Sequence, residues 1–146
     1  MTSLLIGRFQ PLHEGHSTLV KKLLEEGRNV VIGLRDGPKS NANPYSAEER
    51  TAMFQKAFGD KVTVVPLPES DLCCGAAGTY SMNQPEMAAA LGRRKVNNLR
   101  QTNAQELLTA NIGCTLQITR HLQESTGQQI PVRHVIELLA ESYAQA

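Results

Sequence analysis

Residues 3–24, SLLIGRFQPLHEGHSTLVKKLL, decide how this chain folds. Ser3 to Gly7 is a short apolar run, the pattern of a buried strand. From His16 to Leu24 the apolar residues Leu19, Val20, Leu23 and Leu24 fall on one helical face. Between them lies a short loop holding Gly7, His13, Gly15 and His16. A strand that ends in a glycine-bounded loop and feeds a helix points backbone N–H groups at one spot. The helix N-terminus adds partial positive charge there, so the spot suits an anion. His13 and His16 are three residues apart, and a helical turn starting near Glu14 lets both imidazoles face one phosphate. Gly7 would let a phosphate approach the main chain, and Gly15 removes a side chain that would crowd it. Two such donors can stabilise charge on the bridging and leaving oxygens of phosphoryl or nucleotidyl transfer.

The same alternation continues outward. Asn29–Leu34 reads as a second buried strand. Ser46 caps a helix, with Glu49 completing a capping box. That helix is expected to bury Met53, Phe54, Ala57 and Phe58 and to end at Gly59. Val62–Val65 is a third strand, closed by Pro66 and Pro68. After the small-residue loop Cys73-Cys74-Gly75-Ala76-Ala77-Gly78 comes a long helix. It has Pro85 in its first turn and Met87, Leu91, Val96 and Leu99 at helical spacing. Leu107–Ala110, a helix carrying Leu116, Ile118 and Leu122, Pro131–His134 and a closing helix over Val135–Tyr143 complete the chain. Strands alternating with helices imply an α/β fold, a three-layer, doubly wound sandwich around a five-stranded parallel sheet. The preferred strand order is 3-2-1-4-5, HUP- or Rossmann-like, with the flavodoxin-like 2-1-3-4-5 as alternative. In either order the first loop, the CCG loop and the loop at Gly113 leave the C-terminal ends of strands, where they could line one crevice.

Composition narrows the function. The chain has 146 residues, 40% hydrophobic and 20% charged, with a formal net charge of +1, which suits one globular domain. No basic run and only 4% aromatic residues argue against nucleic-acid and membrane-surface binding, and no protein partner is implied. No apolar stretch approaches the roughly 20 residues of a bilayer span. The start MTSLLIGRFQ lacks a basic region and does not read as a signal peptide. Three cysteines, two of them adjacent, suit reduced cytoplasmic thiols or metal ligands better than a disulfide framework.

GRFQPLHEGH (residues 7–16), followed by NPYSAEER (residues 43–50), resembles the nicotinamide-mononucleotide adenylyltransferase group of the HxGH nucleotidyltransferases over about residues 3–68. The resemblance implies that Gly7, Arg8 and Phe9 line an ATP site and that His13 and His16 contact the phosphates as the catalytic pair. It implies no protein nucleophile: the substrate phosphate attacks the ATP α-phosphorus with Mg²⁺ assisting. Arg35 and Asp36, at the end of the second strand, lie where ligands of open α/β sheets bind. Arg50 suits a structural ion pair as well as a ligand contact. The family's second signature, a Ser/Thr-rich turn ending in Arg before a late helix, is missing. Ser125-Thr126-Gly127 reads as a helix terminator, so the catalytic set is incomplete.

DLCCGAAGTYSMNQPEMAAALGRRKVNNLR, then TANIGCTLQI and IPVRHVIELL, resembles the C-terminal CCG domain of the glycolate oxidase iron–sulfur subunit and its heterodisulfide-reductase relatives, over about residues 69–146. Cys73, Cys74 and Cys114 are then the candidate metal ligands. Gln117 stands where a CxxC pattern needs its second cysteine, and the cysteine that family carries upstream of CCG is absent. A cluster needs about four protein ligands, so none is expected to assemble. Zinc on the three cysteines and His134 has no spacing rule behind it.

The two halves, residues 1–68 and 69–146, meet at VTVVPLPESD, where both families have a strand and a turn. Each lacks the partner that completes its own site. The simplest reading is an engineered chimera of compatible α/β halves, folding as one domain over residues 1–146. Three functions compete: a residual nucleotide-phosphate site with weak adenylyl transfer at most, a metal or iron–sulfur protein, and a scaffold without activity.

Overall fold

Strand β1 (Thr2–Gly7) runs parallel to β2 (Asn29–Leu34), with Leu4 opposite Val31 and Gly7 opposite Leu34. Strand β3 (Val62–Pro66) extends this pairing from β2, with Ile32 opposite Val64. Parallel neighbours need a crossover connection. Helices α1 (Glu14–Glu25) and α2 (Ala47–Phe58) supply them, and a 3-10 turn over Gly59–Lys61 follows α2. Leu4, Val20, Leu23, Ile32 and Phe54 are completely shielded from solvent. The capping box at the start of α2 forms as expected: Ser46 Oγ accepts from Glu49 N–H at 3.1 Å, and Glu49 Oε2 accepts from Ser46 N–H at 2.6 Å.

The computed structural model describes residues 1–35, 37–70, 72–76, 78–125, 127 and 129–145. The chain clusters into two units, Met1–Asp71 and Leu72–Ala146. The second unit holds a short helix α3 (Tyr80–Asn83), the long α4 (Pro85–Arg100), β4 (Glu106–Thr109), α5 (Ile112–Glu124), β5 (Val132–His134) and α6 (Val135–Ala144). β4 and β5 are parallel, with Leu107 opposite Val132. Val96, Leu99, Leu107, Leu108, Ile118, Leu122 and Leu138 form its buried core. The five strands take the order β3-β2-β1-β4-β5, which is the 3-2-1-4-5 order and not 2-1-3-4-5.

Some expected faces differ. Ala57 is exposed, and α2 turns Arg50, Phe54 and Phe58 inward instead. Met87 is 53% exposed and Leu116 65% exposed. Leu116 and Ile118 sit about 200° apart on a helix, so both cannot face one core. The helix buries Ile118 and Leu122, together with Thr115, Gln117 and His121. The short α3 is an addition that the sequence pattern did not reveal. Among the described residues no helix is long and apolar enough to cross a membrane.

Candidate functional site

In the first unit, the loop after β1 brings His13 and His16 together. Their rings stack with centroids 3.6 Å apart and planes 24° from parallel. Both also cap α1. His13 Nδ1 accepts from Gly15 N–H at 3.1 Å, and His16 Nδ1 accepts from His13 N–H at 3.4 Å. A neutral imidazole whose Nδ1 accepts a hydrogen bond carries its proton on Nε2. The cap therefore sets the tautomer and leaves one Nε2–H donor on each of the two stacked rings. Helix capping occupies the Nδ1 of each ring and does not use its Nε2. Burial, and then the neighbouring His13, hold the His16 pKa below the usual histidine range.

The surrounding residues position this pair more than they line a cavity. Phe9 is 3% exposed and lies edge-on to His16 and to Phe54, at 4.9 Å in each case. Its place is in the core beneath the histidines. A Cβ on Gly7 would come within 3.0 Å of the Phe9 ring, so Gly7 makes room for that ring. A Cβ on Gly15 would meet His13 Cε1 at 3.1 Å, so Gly15 clears space for the imidazole. Arg8 is exposed, and its guanidinium donates to Ala42 O at 2.6 Å. Arg35 is exposed at the end of β2, where its N–H donates to Gly7 O at 2.9 Å. Asp36 lies outside the described residues.

Two further residues position the site: Gln10, which had no assigned role in the sequence, and Arg50, which the sequence left between an ion pair and a ligand contact. Gln10 pairs with the Tyr45 backbone in both directions, Nε2 to Tyr45 O and Tyr45 N–H to Oε1, each at 2.9 Å. This ties the HxGH loop to the segment that opens α2. Arg50 is 1% exposed, and its guanidinium donates to three carbonyls: Arg8 O at 2.8 Å, Arg35 O at 2.7 Å and Ser46 O at 3.1 Å. It gathers the ends of β1 and β2 and the start of α2 around one charge. These contacts to main-chain carbonyls are what residue spacing could not reveal.

In the second unit the three cysteines separate into a pair and a single residue. Cys74 Sγ lies 3.2 Å from Cys114 Sγ and donates to it. The Cys73 sulfur instead accepts from Gly75 N–H at 3.3 Å. The hydrogen bond to Cys114, and then burial, push the Cys74 thiol well above the ordinary thiol range. Gly75 has φ +88°, and a Cβ there would meet Ala88 O at 2.5 Å, so only glycine suits the third position of the CCG loop. Cys114 sits in the first turn of α5, its N–H capped by Asn111 Oδ1 at 3.0 Å. Gln117 is buried, and its amide donates to Ala88 O at 3.1 Å. His134 caps α6, with Nδ1 accepting from Ile136 N–H at 3.2 Å. Among the described residues no group of three or more His, Cys, Asp or Glu is arranged to hold a metal ion. Two paired sulfurs fall short of the four ligands of an iron–sulfur cluster, so these residues do not fit one. The Ser125 turn does meet an arginine, contributed by α4: Arg100 Nη2 donates to Ser125 Oγ at 2.7 Å.

Comparison with known proteins finds both resemblances. Residues 40–119 match the family model described as the cysteine-rich domain, CCG; the span includes all three cysteines and begins well before residue 69. The glycolate oxidase iron–sulfur subunit of Escherichia coli (strain K12) is 35% identical over 102 residues, which is 70% of this chain and 23% of that protein. A nicotinamide-nucleotide adenylyltransferase of Methanococcus vannielii is 38% identical over 61 residues, 40% of this chain and 36% of the relative. The chain thus spans well under half the length of either relative. A bifunctional NMN adenylyltransferase/ADP-ribose pyrophosphatase from Francisella tularensis, solved with AMP and a manganese ion, superposes with a TM-score of 0.51. It is 22% identical, with 91% of this chain and 36% of that chain covered, which is a likeness of fold.

Proposed function

The chain belongs to the cysteine-rich (CCG) domain family, and from that footing, together with its nucleotidyltransferase-like first half, we propose that it is a hybrid whose ligand is a nucleotide phosphate, ATP with Mg²⁺, held over His13 and His16. The observation that carries this reading is the stacked imidazole pair at the start of α1, each ring fixed by its Nδ1 and left with an Nε2–H to donate. Such preorganised donors stabilise charge that develops on phosphate oxygens without reorienting during the reaction. The N-terminal dipole of α1 adds to them. Exposed Arg8 and Arg35 add positive charge at the ends of β1 and β2, and Asp36 belongs to the proposed site by its sequence position. Mg²⁺, when bound, would neutralise phosphate charge, held chiefly by the nucleotide's own oxygens.

Adenylyl transfer would need no protein nucleophile here. The histidines bind and orient the triphosphate, and any turnover falls on a catalytic set that lacks its Ser/Thr–Arg turn. The protein is cytoplasmic on this reading, its partner is a small-molecule nucleotide, and its two halves were engineered together. It also unfolds as one cooperative domain: a single calorimetric transition with matching van't Hoff and calorimetric enthalpies is expected, and two transitions refute it.

Calorimetry with ATP, with and without Mg²⁺, tests the ligand. Binding should be measurable by millimolar ATP. Losing one charge-assisted hydrogen bond in His16→Ala should weaken it by about tenfold or more. Absence of heat at millimolar ATP, or equal affinity in His16→Ala, refutes the proposal.

A further inference from the structure

Cys74 and Cys114 are 40 positions apart in sequence, yet their sulfurs stand 3.2 Å from each other. The loop geometry makes this selective. Gly75, pressed against the α4 backbone at Ala88, turns the chain so that Cys74 is buried toward α5, while the Cys73 sulfur is occupied by the Gly75 N–H. Cys114 is the more accessible member of the pair, half-buried in the first turn of α5. Cys73 and Cys74 are poor partners for each other. Adjacent Cα atoms lie about 3.8 Å apart, below the usual disulfide span of roughly 4.4–6.8 Å.

We propose that Cys74 and Cys114 form a reversible dithiol–disulfide pair, closed by a low-molecular-weight disulfide such as oxidised glutathione and tying the CCG loop to the first turn of α5. The Cys114 thiolate attacks one sulfur of the small disulfide. The small molecule's S–S bond breaks, and one small thiol leaves. The Cys74 sulfur then attacks Cys114 Sγ in the mixed disulfide, the second small thiol leaves, and the Cys74 proton passes to that leaving group or to solvent. The protein gives up two electrons and two protons, and the small disulfide is reduced to two thiols. Closing the bond asks the sulfurs to approach by roughly 1.2 Å, within the adjustment of a loop residue. This site is independent of the nucleotide reading, since it uses only residues of the second unit.

The test oxidises the folded, full-length chain with oxidised glutathione, quenches with an alkylating agent and maps the peptides by mass. The expected product is about 2 Da lighter before alkylation, links Cys74 to Cys114 and carries one alkyl group, on Cys73. Cys73→Ser should give the same link, and Cys74→Ser should stop at a glutathione adduct on Cys114. Reductant should restore three alkylatable thiols. Three alkylated cysteines after oxidation, or a link through Cys73, overturns the proposal. Should Cys74→Ser fail to fold, the wild-type peptide map decides by itself.

Discussion

Replacing Arg50 is the sharpest test of how the candidate site is held. Its guanidinium is 1% exposed and donates to Arg8 O, Arg35 O and Ser46 O at 2.8, 2.7 and 3.1 Å. A hydrogen bond from a charged donor contributes about 1.5–3 kcal/mol, and a buried acceptor left unpaired costs about 1–3 kcal/mol. These figures are not additive, because a truncated site relaxes and admits water. Removing one member of a buried charged network typically costs about 3–5 kcal/mol, and that range is expected for Arg50→Ala. For a chain of this length the loss corresponds to a fall of roughly 10 °C in Tm. Arg50→Met keeps most of the packing volume and separates the lost hydrogen bonds from the cavity, so about 2–4 kcal/mol should remain lost. Arg50→Lys keeps the charge but not the planar fork and should fall between wild type and Met. Urea denaturation followed by far-ultraviolet circular dichroism is the assay, since the chain has no Trp. An Arg50→Met variant within about 0.5 kcal/mol of wild type at unchanged m would refute the claim that this side chain organises the loop ends.

Gly75→Ala adds a left-handed penalty of about 1–2 kcal/mol. It also forces a methyl group to within 2.5 Å of Ala88 O, an overpacking cost of about 1–3 kcal/mol. A measured loss under about 1 kcal/mol in urea would count against the close approach. In α4, a Cβ on Gly92 would lie 2.1 Å from His121 Cδ2, so Gly92→Ala should destabilise and His121→Ala should relieve part of the cost. A double-mutant cycle with coupling near zero, where about 1 kcal/mol or more is expected, excludes that contact. Since the folded-state pKa of His16 is depressed, its neutral form is the one the fold favours. Stability should be fully present above the unfolded value near 6.5 and be lost as pH falls through the lower folded value. Urea midpoints between pH 7.5 and about 5 should show this slope, and it should flatten in His16→Gln; an unchanged slope in that variant defeats the assignment. An anion over His16 favours its protonated form, so ATP affinity should rise over the same fall in pH, and calorimetry would expose the opposite trend.

The fold was legible where its causes are local. Apolar runs of strand length, the Ser46–Glu49 capping box and Pro85 at the start of α4 are short-range signals, and the structure places elements where they indicate. The shared position of His13 and His16 was equally legible, because a three-residue spacing at a helix start is set by backbone geometry. Leu116 misled because hydrophobicity alone does not say which of two opposed helix faces meets the core.

By itself, then, the sequence determined the alternation of strands and helices, the two motifs of the first half and the presence of a CCG loop, all properties of residues within a turn or two of one another. Only the tertiary structure decided that Gln10 grips Tyr45, that Arg50 answers three main-chain carbonyls, that Phe9 belongs to the core, and that Cys74, not its neighbour Cys73, meets Cys114. Those outcomes depend on which way a loop turns and which groups distant in sequence arrive beside it. Backbone carbonyls look alike at every position of a sequence, and adjacent side chains diverge, so no spacing rule could have selected among them.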